Sequence, residues 1–170
     1  MINKLRLIAT GITALIFLSP LFLYWWGLAN LSELPQPSKI KLTVEQELDI
    51  WKKEKEIGPP RVKKVTAYGY ILSVYCNVKV GLYAQECMSQ YPGLRVSSLA
   101  IRNQVASQIH GKGNIVWQLT WVAYSIWVTR NWDIHQILAT YHETYNTYTT
   151  PNKYINHRRK RGVSSPTPSS

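Results

Sequence analysis

An all-α domain built round one buried central helix, preceded by a single membrane-spanning helix, is the fold class this sequence predicts. Three observations predict it. Residues 115–128 (IVWQLTWVAYSIWV) carry three polar side chains, Gln118, Thr120 and Ser125, which share no common face. Trp117, Trp121, Tyr124 and Val128 line one side at helical spacing, and Ile115, Leu119, Val122 and Ile126 cover another. A helix apolar nearly all round is a core helix or a membrane span. This run is closed by Arg130 and Asn131 and falls short of the about 20 apolar residues that spanning takes. Residues 7–29, by contrast, form an uncharged apolar run of spanning length. Helix-start chemistry recurs at Thr43 and Asp133, each followed three residues on by a Gln in capping-box position.

Taken in order, residues 1–6 are polar and hold Lys4 and Arg6. Residues 7–29 form the anchor. Pro20 inside it is tolerated in a bilayer helix, and Tyr24, Trp25 and Trp26 make an aromatic belt at its far end. The two cations at the near end place the N-terminus in the cytoplasm and the rest of the chain outside. Lys39 and Lys41 weigh against this orientation. A cleaved signal peptide ending at Gly27-Leu28-Ala29 is the rival reading, and it also exports the chain. Residues 30–42, with Pro35 and Pro37, read as a short stiff linker.

The helical domain is expected over 43–150. A surface helix from Thr43 buries Val44, Leu48 and Trp51, with Glu45, Glu47, Lys52, Lys53 and Glu56 on its other faces, and ends before Gly58-Pro59-Pro60. Residues 66–88 are mostly apolar, and their aromatic and β-branched content suits helix or strand; helix is favoured because the segments after residue 88 have helical patterns. Tyr91-Pro92-Gly93 is a turn. Residues 97–110 form one helix with Leu99, Ile101, Val105 and Ile109 inward, and Gly111-Lys112-Gly113 breaks it. Asn114 then caps the central helix, and Asp133 caps the last one, with Ile137, Leu138 and Tyr141 on its core side. Residues 151–170 are a basic, Ser/Pro/Thr-rich disordered tail containing Arg158-Arg159-Lys160-Arg161.

The chain has 170 residues, 45% of them hydrophobic, enough for one domain with appendages. Its net charge of +11 implies an anionic partner: lipid headgroups, a pyrophosphate-linked substrate, wall polymer or nucleic acid. Beyond Glu56 the carboxylates are Glu86, Asp133 and Glu143, so acid–base chemistry in the main domain is expected to draw on these. No metal site or cofactor is expected. His142-Glu143 lacks the second His of a metalloprotease helix, and no phosphate-binding glycine motif is present. Cys76 and Cys87 are either a disulfide, which requires a turn near Lys79-Val80-Gly81 because one straight helix would hold them about 16 Å apart, or two buried thiols.

Residues 132–141 (WDIHQILATY) resemble the late motif of the family 51 peptidoglycan glycosyltransferases, whose Ile-Leu-x-x-Tyr is met by Ile137, Leu138 and Tyr141. Residues 111–119 (GKGNIVWQL) are similar to that family's Gly-Gly-Ser-Thr-Ile-Thr-Gln-Gln-Leu, sharing Gly111, Ile115, Gln118 and Leu119. A second register sets Ile101-Arg102-Asn103-Gln104-Val105-Ala106 against the same run. Tyr83-Ala84-Gln85-Glu86, with Tyr91-Pro92-Gly93 after it, resembles the segment bearing the family's general base, which would make Glu86 the catalytic residue. The resemblance implies a shortened lysozyme-like domain, with Lys112, Asn114, Gln118 and Tyr141 toward substrate. Cys87 stands where the family has Asp, and its Arg-Lys-x-x-Glu motif has no counterpart.

A lone base without that partner motif points to a protein that does not catalyse. The expectation is an inner-membrane protein whose periplasmic domain binds envelope polymer, lipid-linked precursor or a protein partner. A minimal glycosyltransferase using Glu86 is the enzymatic alternative. An inverted topology, with the basic tail holding anionic lipid or nucleic acid in the cytoplasm, is the third.

Overall fold

The computed structural model describes residues 2–78 and 82–149. Eight helices and no strand occur among them: α1 Ile2–Leu28, α2 Val44–Lys53, α3 Ala67–Val78, α4 Leu82–Met88, α5 Leu94–Ala100, α6 Arg102–Gln108, α7 Asn114–Asn131 and α8 Ile134–Thr149. The turn foreseen at 79–81, the basic tail and His157 lie outside the described residues.

One N-terminal helix, α1, is long and apolar enough to span a membrane, over Arg6–Leu28. Its first two-thirds touch little else, and Leu7, Leu15, Phe17 and Phe22 are largely exposed. Its last turns pack along α7. A Cβ on Gly27 would lie 2.6 Å from the Ala123 Cβ and 2.7 Å from the Leu119 carbonyl oxygen, so the two backbones approach as only glycine permits. The Tyr124 hydroxyl donates to the Leu28 carbonyl at 2.8 Å and closes that junction.

The core lies between α2, α5, α6, α7 and α8, and Trp51, Val96, Ile101, Val105, Tyr124, Val128, Ile137 and Leu138 fill it. The central helix is drier at its C-terminal half than along its whole length. Ala123, Tyr124, Ile126 and Val128 are buried, whereas Ile115 is 73% exposed. Asp133 and Gln136 form the foreseen capping box of α8, and Thr43 with Gln46 forms that of α2.

Three local expectations need correction. Val44 is exposed and Glu47 buried, because α2 turns Ile50 and Trp51 inward and places Glu47 against His135 of α8. The helix foreseen over 97–110 is two helices, bent at Ile101 (φ −93°, ψ −5°). The bend lets α5 and α6 each bury a face, and the Ser97 and Ser98 hydroxyls bond back to the carbonyls of Gly93 and Leu94, which locally bends helices. Asn114 is not the cap of α7; Gly113 is, at φ +88°, a conformation glycine adopts without strain. Residues 66–88 are helical, as favoured, in the two helices α3 and α4, and of the two readings of the cysteines the disulfide is the one formed, joining Cys76 and Cys87 across them with Cα atoms 5.4 Å apart.

Residues 30–42 are strapped to the domain rather than free. Gln108 accepts from the Glu33 amide and donates to the Glu33 carbonyl, and Gln104 does the same to Gln36. The Ser38 amide donates to Thr140. Two glutamines one helical turn apart thus pair with extended backbone as a neighbouring strand would.

The Thr120 hydroxyl is fully buried and has no hydrogen-bond partner among the described residues. Burying an unpaired hydroxyl costs about 1–3 kcal/mol. Thr120→Val therefore raises stability by about 1 kcal/mol in denaturant unfolding, against the usual destabilising effect of a core substitution. The Glu47 carboxylate beside His135, 2.7 Å from its Nδ1, raises the imidazole pKa by hydrogen bonding and charge. A raised histidine pKa stabilises the fold fully below its unfolded value and ceases to do so as pH rises through the folded one. Glu47→Gln returns the His135 titration in NMR toward about 6.5. The stability gap between wild type and variant then closes as pH is raised past the wild-type midpoint.

Candidate functional site

The residues singled out from sequence fall in three places. Glu86 is exposed on α4, whose packing partner is α3. Lys112, Asn114 and Gln118 gather at the start of α7: Asn114 and Gln118 are exposed, and the Lys112 ammonium donates to the Asn30 carbonyl at 3.1 Å, beside the end of α1. Tyr141 is 1% exposed and its hydroxyl donates to the buried Glu54 carboxylate.

Glu54 has no role in the sequence reading, which places its neighbours Glu47 and Glu56 on the outer faces of α2. Arg95 of α5 bonds Glu54 through Nε at 3.1 Å, so the carboxylate is held by a cation on one oxygen and a phenol on the other. The Tyr141 hydroxyl is pushed up in pKa by burial and by this carboxylate, and it stays a donor at physiological pH. Nearby Glu56 is raised by burial, a shift that the Gly93 amide and Arg95 partly offset. Glu54, Glu56 and Arg95 border a cavity of about 240 Å³ with Ala84, Gln85 and Met88 of α4. The acids foreseen for chemistry, Glu86, Asp133 and Glu143, are absent from this cluster: Asp133 caps α8, and Glu86 and Glu143 are exposed.

The arrangement best suited to hold a ligand lies on the other side of Tyr141. Tyr145, one turn on, stacks on the Tyr141 ring with centroids 4.3 Å apart. It enters a cleft of about 570 Å³ between α5–α6, the start of α7 and the end of α8, lined by Leu99, Arg102, Asn103, Ala106, Trp117, Thr144 and Tyr145. Trp117 is braced by stacking on Trp121, 5.2 Å between centroids, and Trp121 is in turn fixed by its indole N–H on the Ser98 carbonyl. The Arg102 guanidinium sits 5.9 Å from the Trp117 ring centroid, a cation–π contact that holds the charge at the cleft. Two supported aromatic rings, a cation and an amide converging on a concave site of this size are what binding sites for small organic groups present.

Sequence reasoning places Trp117 in the core helix and passes over Tyr145. Arg102 and Asn103 enter it only within the second register. The available signal was the spacing of Tyr141 and Tyr145, which puts both rings on one face of α8.

Removing the phenol from Tyr141 leaves a lone pair of a buried carboxylate unmet, which costs about 1–3 kcal/mol. Tyr141→Phe is expected to lower unfolding free energy by about 2 kcal/mol, as measured by denaturant titration.

Comparison of the chain with protein-family models, with characterised proteins and with solved structures finds no match.

Proposed function

We propose that this chain is a membrane-anchored, exported domain that binds an anionic envelope glycan, free or as a lipid-linked precursor, and does not polymerise it. The observation that carries this reading is the cleft of Trp117, Tyr145, Arg102 and Asn103, set on the helix that α1 grips. A sugar ring has flat C–H faces edged by hydroxyl groups. An indole or phenol plane matches the faces, an amide matches the edges, and a guanidinium pairs with a carboxylate or pyrophosphate in fixed geometry. Gly27, Tyr124 and Lys112 tie α7 and its preceding turn to the end of α1, which keeps the cleft at a set height over the membrane.

Against polymerisation, the carboxylate that resemblance assigns as base, Glu86, is on a helix packed against α3, whereas the cation assigned to the pyrophosphate, Lys112, is committed to the Asn30 carbonyl. A general base must come within hydrogen-bond reach of its proton while cations meet the leaving group.

The test uses the full-length protein in nanodiscs with soluble peptidoglycan fragments, read by tryptophan fluorescence and by sedimentation with purified sacculi. Trp117→Ala and Arg102→Gln each weaken binding about tenfold or more, roughly the 1.4 kcal/mol of one aromatic or charged contact, and Glu86→Gln does not. Binding equal in all four proteins would discard the cleft. Polymer formed from lipid-linked disaccharide, and lost on Glu86→Gln, would replace this reading with the enzymatic one.

A further inference from the structure

Helix α3 has an outer face that the domain leaves uncovered. Residues 67–78 carry no charged side chain, and Ile71, Leu72, Val74, Tyr75 and Val78 are between 48% and 74% exposed. Contiguous exposed apolar side chains mark a surface that something else covers. The place of α3 in the fold identifies the cover. It lies against α1, and the Tyr68 hydroxyl donates to the Phe17 carbonyl. Phe17 is about 16 Å along the helix from Leu28, at ~1.5 Å per residue, near the middle of the apolar span. If α1 crosses a bilayer, that contact is within the hydrocarbon, and a helix touching it there has the same solvent.

The chemistry of α3 fits. Backbone groups in the body of the helix are met within it, as lipid requires. At its start the Thr66 hydroxyl accepts from the Gly69 amide, and the Ser73 hydroxyl is turned back onto the Tyr70 carbonyl. The cations nearest in sequence lie outside the helix, Lys63 and Lys64 before it and Lys79 after it, and the Lys63 ammonium donates to the Gln90 carbonyl. The Cys76–Cys87 bond ties its far end to α4. Between α1, α3 and α7 runs a cavity of about 250 Å³ lined by side chains such as Leu23, Ile71, Val74, Leu119, Val122 and Ile126, an apolar slot suited to one acyl chain.

We infer that α3, pinned to α4 by Cys76–Cys87, is embedded in the bilayer leaflet beside α1, with its outer face against lipid acyl chains. The protein is then held by two helices, one that crosses and one that enters from the domain side. This rests on α1 being a membrane anchor, and the test separates the two.

Full-length protein in phosphatidylethanolamine–phosphatidylglycerol nanodiscs carries a nitroxide attached through a ketone-bearing residue, which leaves the cysteine pair intact. Labels go at Leu72, at Tyr75, at Leu15 in α1, and at Val44, which is 72% exposed on α2. The ratio of oxygen to nickel-chelate accessibility at Leu72 and Tyr75 is expected to match that at Leu15 and exceed that at Val44 several-fold. A lipid-like Leu15 with Leu72 and Tyr75 matching Val44 overturns the inference and leaves the anchor standing; a Leu15 matching Val44 removes both. In unlabelled protein, mid-chain doxyl lipid should broaden the methyl signals of Ile71 and Val74 as it does those of Ile12, and sharp signals there would equally overturn it.

Discussion

The close approach of α1 and α7 at Gly27 is the constraint on which the rest depends. A membrane anchor joined by a flexible tether says nothing about how its domain sits. Here the last turns of α1 lie against Leu119 and Ala123 with no side chain between the backbones, and the Tyr124 hydroxyl closes the end of the helix. Small residues permit such contacts in lipid, where no hydrophobic effect draws helices together. The central helix therefore has two tasks. Its C-terminal half is core, packed by Val96, Ile101, Ile137 and Leu138. Its N-terminal half receives the anchor on one side and presents Trp117 to the cleft on another. That division explains why the helix is apolar nearly all round without being buried along its whole length.

The strapped segment after α1 reinforces the same rigidity. Gln104 and Gln108 hold residues 33 and 36 by paired amide bonds, and Lys112 holds Asn30, so the chain leaves the anchor directly onto α6. Each bond is exposed and modest alone, about 1 kcal/mol. Together they leave little freedom between anchor and domain. A cleft mounted on this frame is held in a fixed position relative to the end of α1.

Much of the architecture was legible from residue pattern. The long apolar first helix, the two capping boxes and the apolar central helix rest on interactions within a few residues, or on composition over one helix, and these need no knowledge of the partner. Charged side chains were misplaced for the opposite reason. Glu47 and Glu54 follow one another two turns apart on a helix that looks like a polar surface. Their burial depends on His135, Arg95 and Tyr141, which lie 41 to 88 residues away in the chain. The bend at Ile101 likewise reflects competition between two halves of a helix for one core, which a periodic pattern does not register. The cleft was missed because Trp117 has the spacing of a core residue and only its neighbours decide which side of it faces outward.

The amino-acid sequence alone determined the helical class, the first helix long and apolar enough to span a membrane, and the capping boxes that begin α2 and α8, because these are set by hydrophobicity and capping in short windows of chain. The tertiary structure decided that α1 and the helices after it are one packed unit, that Cys76 and Cys87 meet, that Glu54 is an internal carboxylate, and that Trp117 and Tyr145 share a cleft. Each of these is a contact between segments far apart in the chain, and its energy exists only once both have been brought together.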